Sequence, residues 1–313
     1  MYSLLYKTNL RCNFLKNSVY LVKKEGKPMK RKCWCGSQLD YHDCHEAFDK
    51  KLKQYKKHGY LIPNHKMIKN EKQIEAIKRA AVVNNGLLDY IEEHIQIGMT
   101  TQDIDDMAVA YTSSHGGYSA DLNYEGYPKS ICTSVNDEVC HGIPGDYVLQ
   151  DGDIINVDAT TGVNGYYADA SRTFMLGNVS EEAQRLVKVT KECLEEGMKA
   201  VKPWESTIAD IGTAIEKYAH ANGYSVVEEF CGHGIGKAMH EDPYVYHYTP
   251  KEKTVLIVPG MVFTIEPMIN QGTRHIHLGT DNDWTVYTDD GKLSAQWEHT
   301  LLVTEDGVEI ISK

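Results

Sequence analysis

Residues 154–176 read IINVDATTGVNGYYADASRTFML, and this stretch decides the fold. Two apolar, β-branched runs, from Ile154 to Asp158 and from Tyr167 to Leu176, flank a glycine-containing segment, which predicts a β-hairpin. The midpoint between Asp158 and Asp169 falls at the centre of this segment. A simple antiparallel hairpin therefore makes the two carboxylates cross-strand partners on one face, with Cβ atoms about 4.5 to 5.5 Å apart.

Two carboxylates this close repel each other, and three arrangements relieve the repulsion. The pair can lie on a wet hairpin surface, although Ile155, Val157 and Phe174 indicate buried strands. It can share a proton, as in acid proteases. Divalent cations are the third solution, since dinuclear hydrolases hold two of them about 3.5 to 4 Å apart, a separation this pair can span. We favour the cations.

Three more candidate ligands lie later in the chain. His233 is flanked by glycines in CGHGIG, residues 231–236, which leaves room for close approach; the run also resembles a phosphate loop but lacks the Walker spacing. Glu266 and Glu298 each interrupt an apolar strand, where an unpaired carboxylate is costly. A buried ion pair is the alternative for each, but Lys and Arg are scarce nearby.

Together these residues balance two dications with four carboxylates and a neutral imidazole. The hypothesis is a dinuclear site held by Asp158, Asp169, His233, Glu266 and Glu298. Its oxygen-rich ligands with a single nitrogen suit Mn, Fe or Co at least as well as Zn.

Two similar pairs of helices indicate an internal duplication. Apolar periodicity predicts helices over about 71–95, 102–115, 180–201 and 207–221. Asn70 is the expected N-cap of the first, and Gly98 its stop. The second helix of each pair carries Asp-Ile with a Tyr at the same later step, starting at Asp103 and at Asp210. A period of about 107 residues predicts an α+β domain with pseudo-twofold halves, strands inside and helices outside.

The chain is a basic head on an acidic body. Residues 1–72 carry 17 Lys and Arg against 6 Asp and Glu, although the formal net charge of the whole chain is −11. Such a head can contact nucleic acid, the ribosome or anionic lipid, but a charge run is more often a solvated surface. No stretch approaches the about 20 apolar residues of a spanning helix, and basic residues break any signal-peptide core, so we expect a cytoplasmic protein.

Three cysteines and a histidine near the front form a candidate zinc site. They are Cys33, Cys35, Cys44 and His45. Thiolate and imidazole are the preferred ligands of zinc, and metal binding supplies folding energy to a segment too short for its own core. A disulfide is the alternative; the five other cysteines are scattered singly, which is typical of a reducing compartment. The spacing resembles the SEC-C motif, whose usual role is docking, here on the ribosome or a nascent-chain factor.

We predict four segments. Residues 1–30 match no packed element, and Met29 offers an alternative start; residues 31–48 form the SEC-C-like motif, 49–67 a basic linker and 68–313 the main domain.

Seven short stretches of the main domain carry a second resemblance. They are Tyr127 to Cys132, Val139 to Pro144, Asn156 to Asp158, Asp169, Gly232 to Gly236, Thr264 to Met268, and Glu298 to Thr300. Together they resemble the type I methionine aminopeptidases of the pita-bread fold. The resemblance implies metal-dependent removal of the initiator methionine from nascent proteins when the next residue is small. A hydroxide bridging the two metals would attack the methionyl carbonyl.

The same resemblance implies roles for individual residues. Asp169 and Glu298 would bridge the metals, and Glu266 would also shuttle the proton. His240 would stabilise the oxyanion, and His141 would contact the scissile amide. The methionine slot would be lined by Tyr124, Tyr127, Cys132, Met239 and Trp284, and a monovalent cation would lie near Asn136, Glu138 and Ser294. Two positions depart from the family pattern: Met239 often has an aromatic counterpart, and Asp121 replaces the Cys of some members.

Two other functions stay open at this point. Proline-specific peptidases of the same fold share the ligand set, although the stretch from Tyr124 to Ser130 favours methionine. A pita-bread protein that has lost catalysis and docks on the ribosome would usually lack ligands, whereas all five are present here.

Overall fold

The computed structural model describes residues 31–313, so segment 1–30 and the possible start at Met29 lie outside the described residues. The helices are α1 (Tyr41–Cys44), α2 (Glu46–Lys57), α3 (Glu71–His94), α4 (Thr101–Ser114), α5 (Glu181–Lys199) and α6 (Ile208–Ala221). The strands are β1 (Tyr118–Ser119), β2 (Cys132–Val135), β3 (Glu138–Cys140), β4 (Ile154–Val163), β5 (Tyr166–Met175), β6 (Ser225–Val226), β7 (Gly232–Gly234), β8 (Glu241–Val245), β9 (Val262–Ile265), β10 (Met268–Asn270), β11 (Ile276–Leu278), β12 (Val286–Thr288), β13 (Ser294–Gln296), β14 (Glu298–Val303) and β15 (Val308–Ser312).

All four predicted helices of the main domain are confirmed, with ends shifted by a residue or two. Their starts are fixed by side chains that satisfy the free N–H groups of the first turn. Asn70 accepts from the backbone N–H of Gln73 at 3.0 Å, and the Gln73 side chain accepts from the Asn70 N–H at 3.0 Å. This reciprocal pair is a capping box, which explains why the boundary was readable in sequence.

The two halves repeat their backbone contacts as well as their helices. Thr100 and Thr207 each form a capping box with an Asp at the start of α4 and α6. Each of these threonines also makes an antiparallel bridge, Thr100 to Val148 and Thr207 to Leu256. Equivalent connections, offset by 107 residues at the threonines and by 108 at their partners, support the predicted duplication.

The central sheet has nine strands in the order β1-β4-β5-β14-β9-β7-β8, with β2 added to β4 and β15 added to β14. Two three-stranded sheets, β13-β10-β6 and β11-β12-β3, complete the described strands. Side chains on one face of the β4–β5 hairpin, such as Val157 and Phe174, join the apolar core around α3 and α4. A second core surrounds α5 and α6. Strands therefore lie inside and helices outside, as predicted.

The predicted register of the β4–β5 hairpin is wrong by two residues. Asp158 pairs with Ser171, and Asp169 pairs with Thr160. The reason is the turn: Asn164 and Gly165 alone connect the strands, both with positive φ (51° and 75°), as a two-residue type I′ turn requires. Asp158 and Asp169 still share one face but are diagonal neighbours instead of opposed partners.

The zinc-motif segment and α2 pack against the main domain. Trp204 is 93% buried, and its ring contacts those of Phe48 and Tyr55 at centroid distances of 5.0 and 5.7 Å. The Lys51 ammonium lies over the same ring at 4.0 Å. Because α2 runs unbroken from Glu46, it crosses the predicted boundary between motif and linker.

Within residues 31–313, no helix combines the length and apolarity needed to cross a membrane.

Candidate metal centre and active site

The central sheet presents the candidate ligands in two neighbouring rows on one face. Asp158 pairs with Ser171, which pairs in turn with Glu298, so one row runs across β4, β5 and β14. Asp169 lies in the next row, where it pairs with Thr160. Side chains two residues apart on a strand point to the same face, and diagonal neighbours remain within reach. Because the register differs from the predicted one by two residues, Asp158 and Asp169 remain on the same face of the sheet.

His233 enters this face from β7, between two glycines that the packing requires. A Cβ on Gly232 would lie 2.5 Å from the carbonyl oxygen of Thr264, and one on Gly234 would lie 2.1 Å from that of Asp242. The glycines therefore make room for neighbouring backbone, where the sequence indicated room for a ligand. The described segment after Gly234 contains no helix, so the phosphate-loop alternative is wrong.

Glu266 was predicted inside a strand, but it lies one residue beyond the end of β9. The Pro267 that follows offers no N–H to continue the ladder. Thr264 donates its hydroxyl proton to Glu266 Oε1 at 2.7 Å, and Nε2 of His233 lies 3.6 Å from the same oxygen. From Asp169 Oδ2 this nitrogen is 3.8 Å away.

The pKa values of the buried carboxylates are raised by burial and by the charges of their neighbours. Burial first, and then the charge of Asp169, raise the pKa of Asp158 and of Glu298 well above the usual range. Burial also raises the pKa of Asp169, and it raises that of Glu266 to about 8. Burial lowers the pKa of His233 to about 4, so this imidazole is neutral at pH 7. In the absence of a cation, the site would take up protons to stay folded.

The donor set fits divalent metal ions. Atoms of Asp169, His233 and Glu298 lie within 4.8 Å of one another. Asp169 Oδ1 and Glu298 Oε1 are buried without a hydrogen-bond partner among residues 31–313, and no Lys or Arg in that range pairs with any of the four carboxylates. Buried acceptors in this position need a positive partner. Two dications would supply it.

A cavity of about 470 Å³ opens onto this cluster. All twelve candidate side chains line it: the five ligands, His141, His240, and the five residues of the proposed methionine slot, namely Tyr124, Tyr127, Cys132, Met239 and Trp284. Cys132 and Tyr127 are buried, and the rings of Tyr127 and Trp284 meet edge to face at 5.2 Å. The cavity is therefore lined both by apolar and aromatic side chains and by the carboxylate cluster.

Two histidines also line the cavity. Nδ1 of His240 lies 2.8 Å from the Tyr124 hydroxyl, and its ring meets that of His233 at 4.3 Å. Burial, and then the neighbouring His233, lower the pKa of His240. Burial lowers the pKa of His141 to about 4. Both rings are therefore neutral at pH 7 and are able to donate one hydrogen bond each.

Several supporting residues were not predicted from sequence. Thr160 donates to Asp169 Oδ2 at 2.8 Å, and Phe230 places its ring 5.2 Å from that of His141. The Asp121 carboxylate, noted for its departure from the family pattern, is buried in the cavity wall and accepts from the Thr160 N–H at 3.0 Å. Thr160 could have been predicted from the sequence, because it lies two residues after Asp158 and therefore on the same face of the strand.

His247 is the other residue that the sequence did not single out. It is 99% buried, and its Nε2 accepts the backbone N–H of Glu266 at 3.2 Å, which fixes the start of the Glu266-Pro267 segment. Burial lowers its pKa to about 3. An acceptor nitrogen must be unprotonated, so this bond requires neutral histidine.

We expect His247 to make the fold acid-sensitive. Below pH 6.5 the unfolded chain binds a proton that folded His247 does not, so stability falls as the pH drops from about 6.5 towards 3. His247→Gln should reduce the loss of unfolding free energy between pH 7 and pH 5 by about 2 kcal/mol. Urea unfolding at both pH values measures this difference. The exposed His220→Gln is the matched control, and an equal change in both variants would contradict the prediction.

The cysteine cluster also has the geometry of a metal site. Its four side chains each offer a ligand atom within 4.8 Å of the others. Cys35 Sγ and Cys44 Sγ are 3.6 Å apart, and His45 Nδ1 lies 3.1 Å from Cys33 Sγ. A tetrahedron with Zn–S bonds of about 2.3 Å separates its sulfurs by about 3.8 Å, whereas a disulfide needs about 2.05 Å. The cysteines are free, so the disulfide alternative is not formed here.

The predicted monovalent-cation residues also meet. The backbone N–H of Ser294 donates to the carbonyl of Asn136 at 2.9 Å. The side chains of both residues are engaged elsewhere, with Asp153 and Asn270. Glu138 accepts the Val135 N–H at 2.7 Å. A cation at this place stays a prediction.

Comparisons with known proteins agree with this geometry. Residues 75–305 match the model of metallopeptidase family M24, and residues 31–47 match the SEC-C motif. Methionine aminopeptidase A of Synechocystis sp. is 52% identical over 244 residues, which cover 78% of this chain and 96% of that protein. The crystal structure of methionine aminopeptidase from Rickettsia prowazekii superimposes with a TM-score of 0.76 at 41% identity, covering 79% and 99% of the two chains.

The prolidase from Pyrococcus furiosus superimposes with a TM-score of 0.65 at only 21% identity, covering 79% of this chain and 65% of that chain. That likeness shows the shared fold alone. The family model, the curated relative and the structure from Rickettsia prowazekii lead to the same assignment. The chain belongs to metallopeptidase family M24 and, within that family, to the methionine aminopeptidases.

Proposed function

We propose that this chain removes the initiator methionine from nascent polypeptides whose second residue is small. One observation carries the proposal: the five side chains of the proposed methionine slot and a cluster of metal-type ligands line one cavity. The slot, walled by Tyr127 and Trp284, matches an unbranched thioether side chain in polarity. Methionine seated there would place its carbonyl beside the carboxylate cluster.

The metals would be held by Asp158, Asp169, His233, Glu266 and Glu298. Divalent cations bound there supply a nucleophile at neutral pH, because they lower the pKa of bound water towards about 7, and they polarise the carbonyl. The oxygen-rich set supports Mn, Fe or Co at least as well as Zn. Asp169 and Glu298 would be the ligands shared between the two ions, since each has one buried oxygen without a hydrogen-bond partner among residues 31–313.

Residues of the chain would donate and accept the protons of the reaction. If the Tyr124 hydroxyl donates to His240 Nδ1, the ring proton resides on Nε2, which is able to donate to the developing oxyanion. Glu266, with one oxygen held by Thr264, would accept the proton of the attacking water and return it to the leaving amine. His141, beside Phe230, would hold the scissile amide.

A comparison of two peptides tests this function. The metal-loaded protein should release methionine from Met-Gly-Met-Met and should leave an Xaa-Pro dipeptide intact. Cleavage of the Xaa-Pro peptide alone would refute the choice of substrate, and cleavage of neither would favour the non-catalytic alternative.

We further propose that the SEC-C-like segment binds one zinc through Cys33, Cys35, Cys44 and His45 and docks the enzyme near nascent chains. The docking surface would include the lysines of α2, an exposed row that suits the phosphates of ribosomal RNA. This role places the protein in the cytoplasm, where new N-termini emerge.

Zinc binding by this segment should be separable from catalysis. Cys35→Ser is expected to lose one zinc per chain, because it removes one of four ligands. Release of methionine from Met-Gly-Met-Met should stay within about twofold of wild type, since the segment contributes no residue to the cavity. Metal analysis and peptide turnover measure the two effects. A folded variant that loses turnover would make the segment part of the active site.

A further inference from the structure

The loop between β7 and β8 carries two side chains of the cavity but has no regular structure of its own. Met239 and His240 line the cavity from this loop. Lys237, Ala238 and His240 are exposed, and the outer side of the loop borders an open cleft of about 410 Å³. The start of the loop is fixed, because Ile235 is buried and the Tyr167 N–H donates to Gly236 O at 3.0 Å, but packing does little to fix Lys237 and Ala238.

One carboxylate holds the exposed part of the loop. Glu241, the first residue of β8, accepts two backbone N–H groups with Oε1, from Lys237 at 2.7 Å and from Ala238 at 3.0 Å. Its other oxygen, Oε2, accepts a hydrogen bond from the Lys69 ammonium. One oxygen thus clamps the loop while the other fixes the carboxylate itself.

Lys69 is a rigid anchor for this clamp. Its side chain is only 4% exposed, and it packs against Gly236, where a Cβ would come within 3.0 Å of Lys69 Cε. Its backbone N–H donates to Gly260 O at 2.7 Å, and the preceding Ile68 bridges to Met261 beside β9. The ammonium is therefore tied to the sheet whose strand β9 ends beside Glu266.

We propose that Lys69 and Glu241 are positioning residues for methionine release, because they fix the loop that sets His240 and Met239 against the substrate. The inference rests on the function proposed above. A buried ion pair is poor evidence of stabilisation by itself, but it is well suited to hold one geometry. Misplacing a catalytic group by about 1 Å can cost on the order of 100-fold in rate.

A double-mutant cycle tests this role. Lys69→Met removes the charge and keeps the length of the side chain. It is expected to lower kcat on Met-Gly-Met-Met by about 10- to 100-fold at unchanged metal content. In a His240→Ala background the same substitution should lower kcat by less than about threefold, because the group it positions is gone. Glu241→Gln should lower kcat by the same factor in the wild-type background, and by less than about threefold in the His240→Ala background.

The matched control is Lys78→Met, which breaks the surface pair of Lys78 with Glu309 and should leave kcat unchanged. An equal factor with and without His240 would overturn the proposal. Loss of metal or of cooperative unfolding in both positioning variants would make the pair a stability element and would also overturn it. A wild-type protein that releases no methionine contradicts the proposed function instead; the cycle is then run on the residue that it does release.

Discussion

Asp169→Asn should abolish methionine release. Asp169 lies at the centre of the ligand rows, with one oxygen taken by Thr160 and the other buried and free of partners among residues 31–313. The change removes one of four charges that balance two dications. A metal contributes several kcal/mol of transition-state stabilisation, so kcat/KM should fall by about 1000-fold or more.

The measurement pairs steady-state turnover with metal analysis, on protein prepared without wild-type contamination. Metal content should fall along with activity. Asp106→Asn makes the same chemical change at an exposed position on α4, and it should leave both values unchanged. Full activity of Asp169→Asn would show that the carboxylate cluster is not the catalytic metal centre.

His240→Ala is expected to have the second largest effect, on kcat more than on KM. The ring is neutral and is oriented by Tyr124, so it is set to stabilise charge that develops only in the transition state. Loss of one oxyanion donor typically costs about 100- to 1000-fold in kcat. Single-turnover rates on Met-Gly-Met-Met separate this step from binding and product release.

His220→Ala, at an exposed position near the end of α6, is the matched control. Tyr124→Phe removes the orienting hydroxyl and should give part of the same loss. If His240→Ala instead raised KM with kcat unchanged, the histidine would bind substrate and transition state equally, and its assigned role would be wrong.

Local signals made the helices and the ligand face predictable. Asn70 and Gln73 cap α3 through residues three apart, so the sequence alone carries the boundary. The two-residue periodicity of strands placed Asp158 and Asp169 on one face. The register was not predictable from the midpoint rule, because Asn164 and Gly165 both accept positive φ and move the turn by one residue.

Contacts between distant segments had no local signal. The sequence around His247 does not indicate that its imidazole accepts the N–H of Glu266. The sequence around Lys69 likewise does not indicate a partner 172 residues away. The glycines beside His233 were read as space for a ligand because the strands that need this space, near Thr264 and Asp242, are distant in the chain. Long-range packing decided each of these points.

The contacts of Trp204 determine whether the front segment can be removed from this chain or transferred to another. Phe48, Tyr55 and Lys51 cover its indole, and the same apolar core includes Leu52. Trimming the enzyme to its M24 region would uncover the Trp204 indole. Transplanting the front segment onto another member of the family would likewise require an aromatic landing site. The segment is thus packed specifically against this enzyme. Removing or exchanging it without redesigning the contact should yield protein that self-associates, because the aromatic surface becomes exposed.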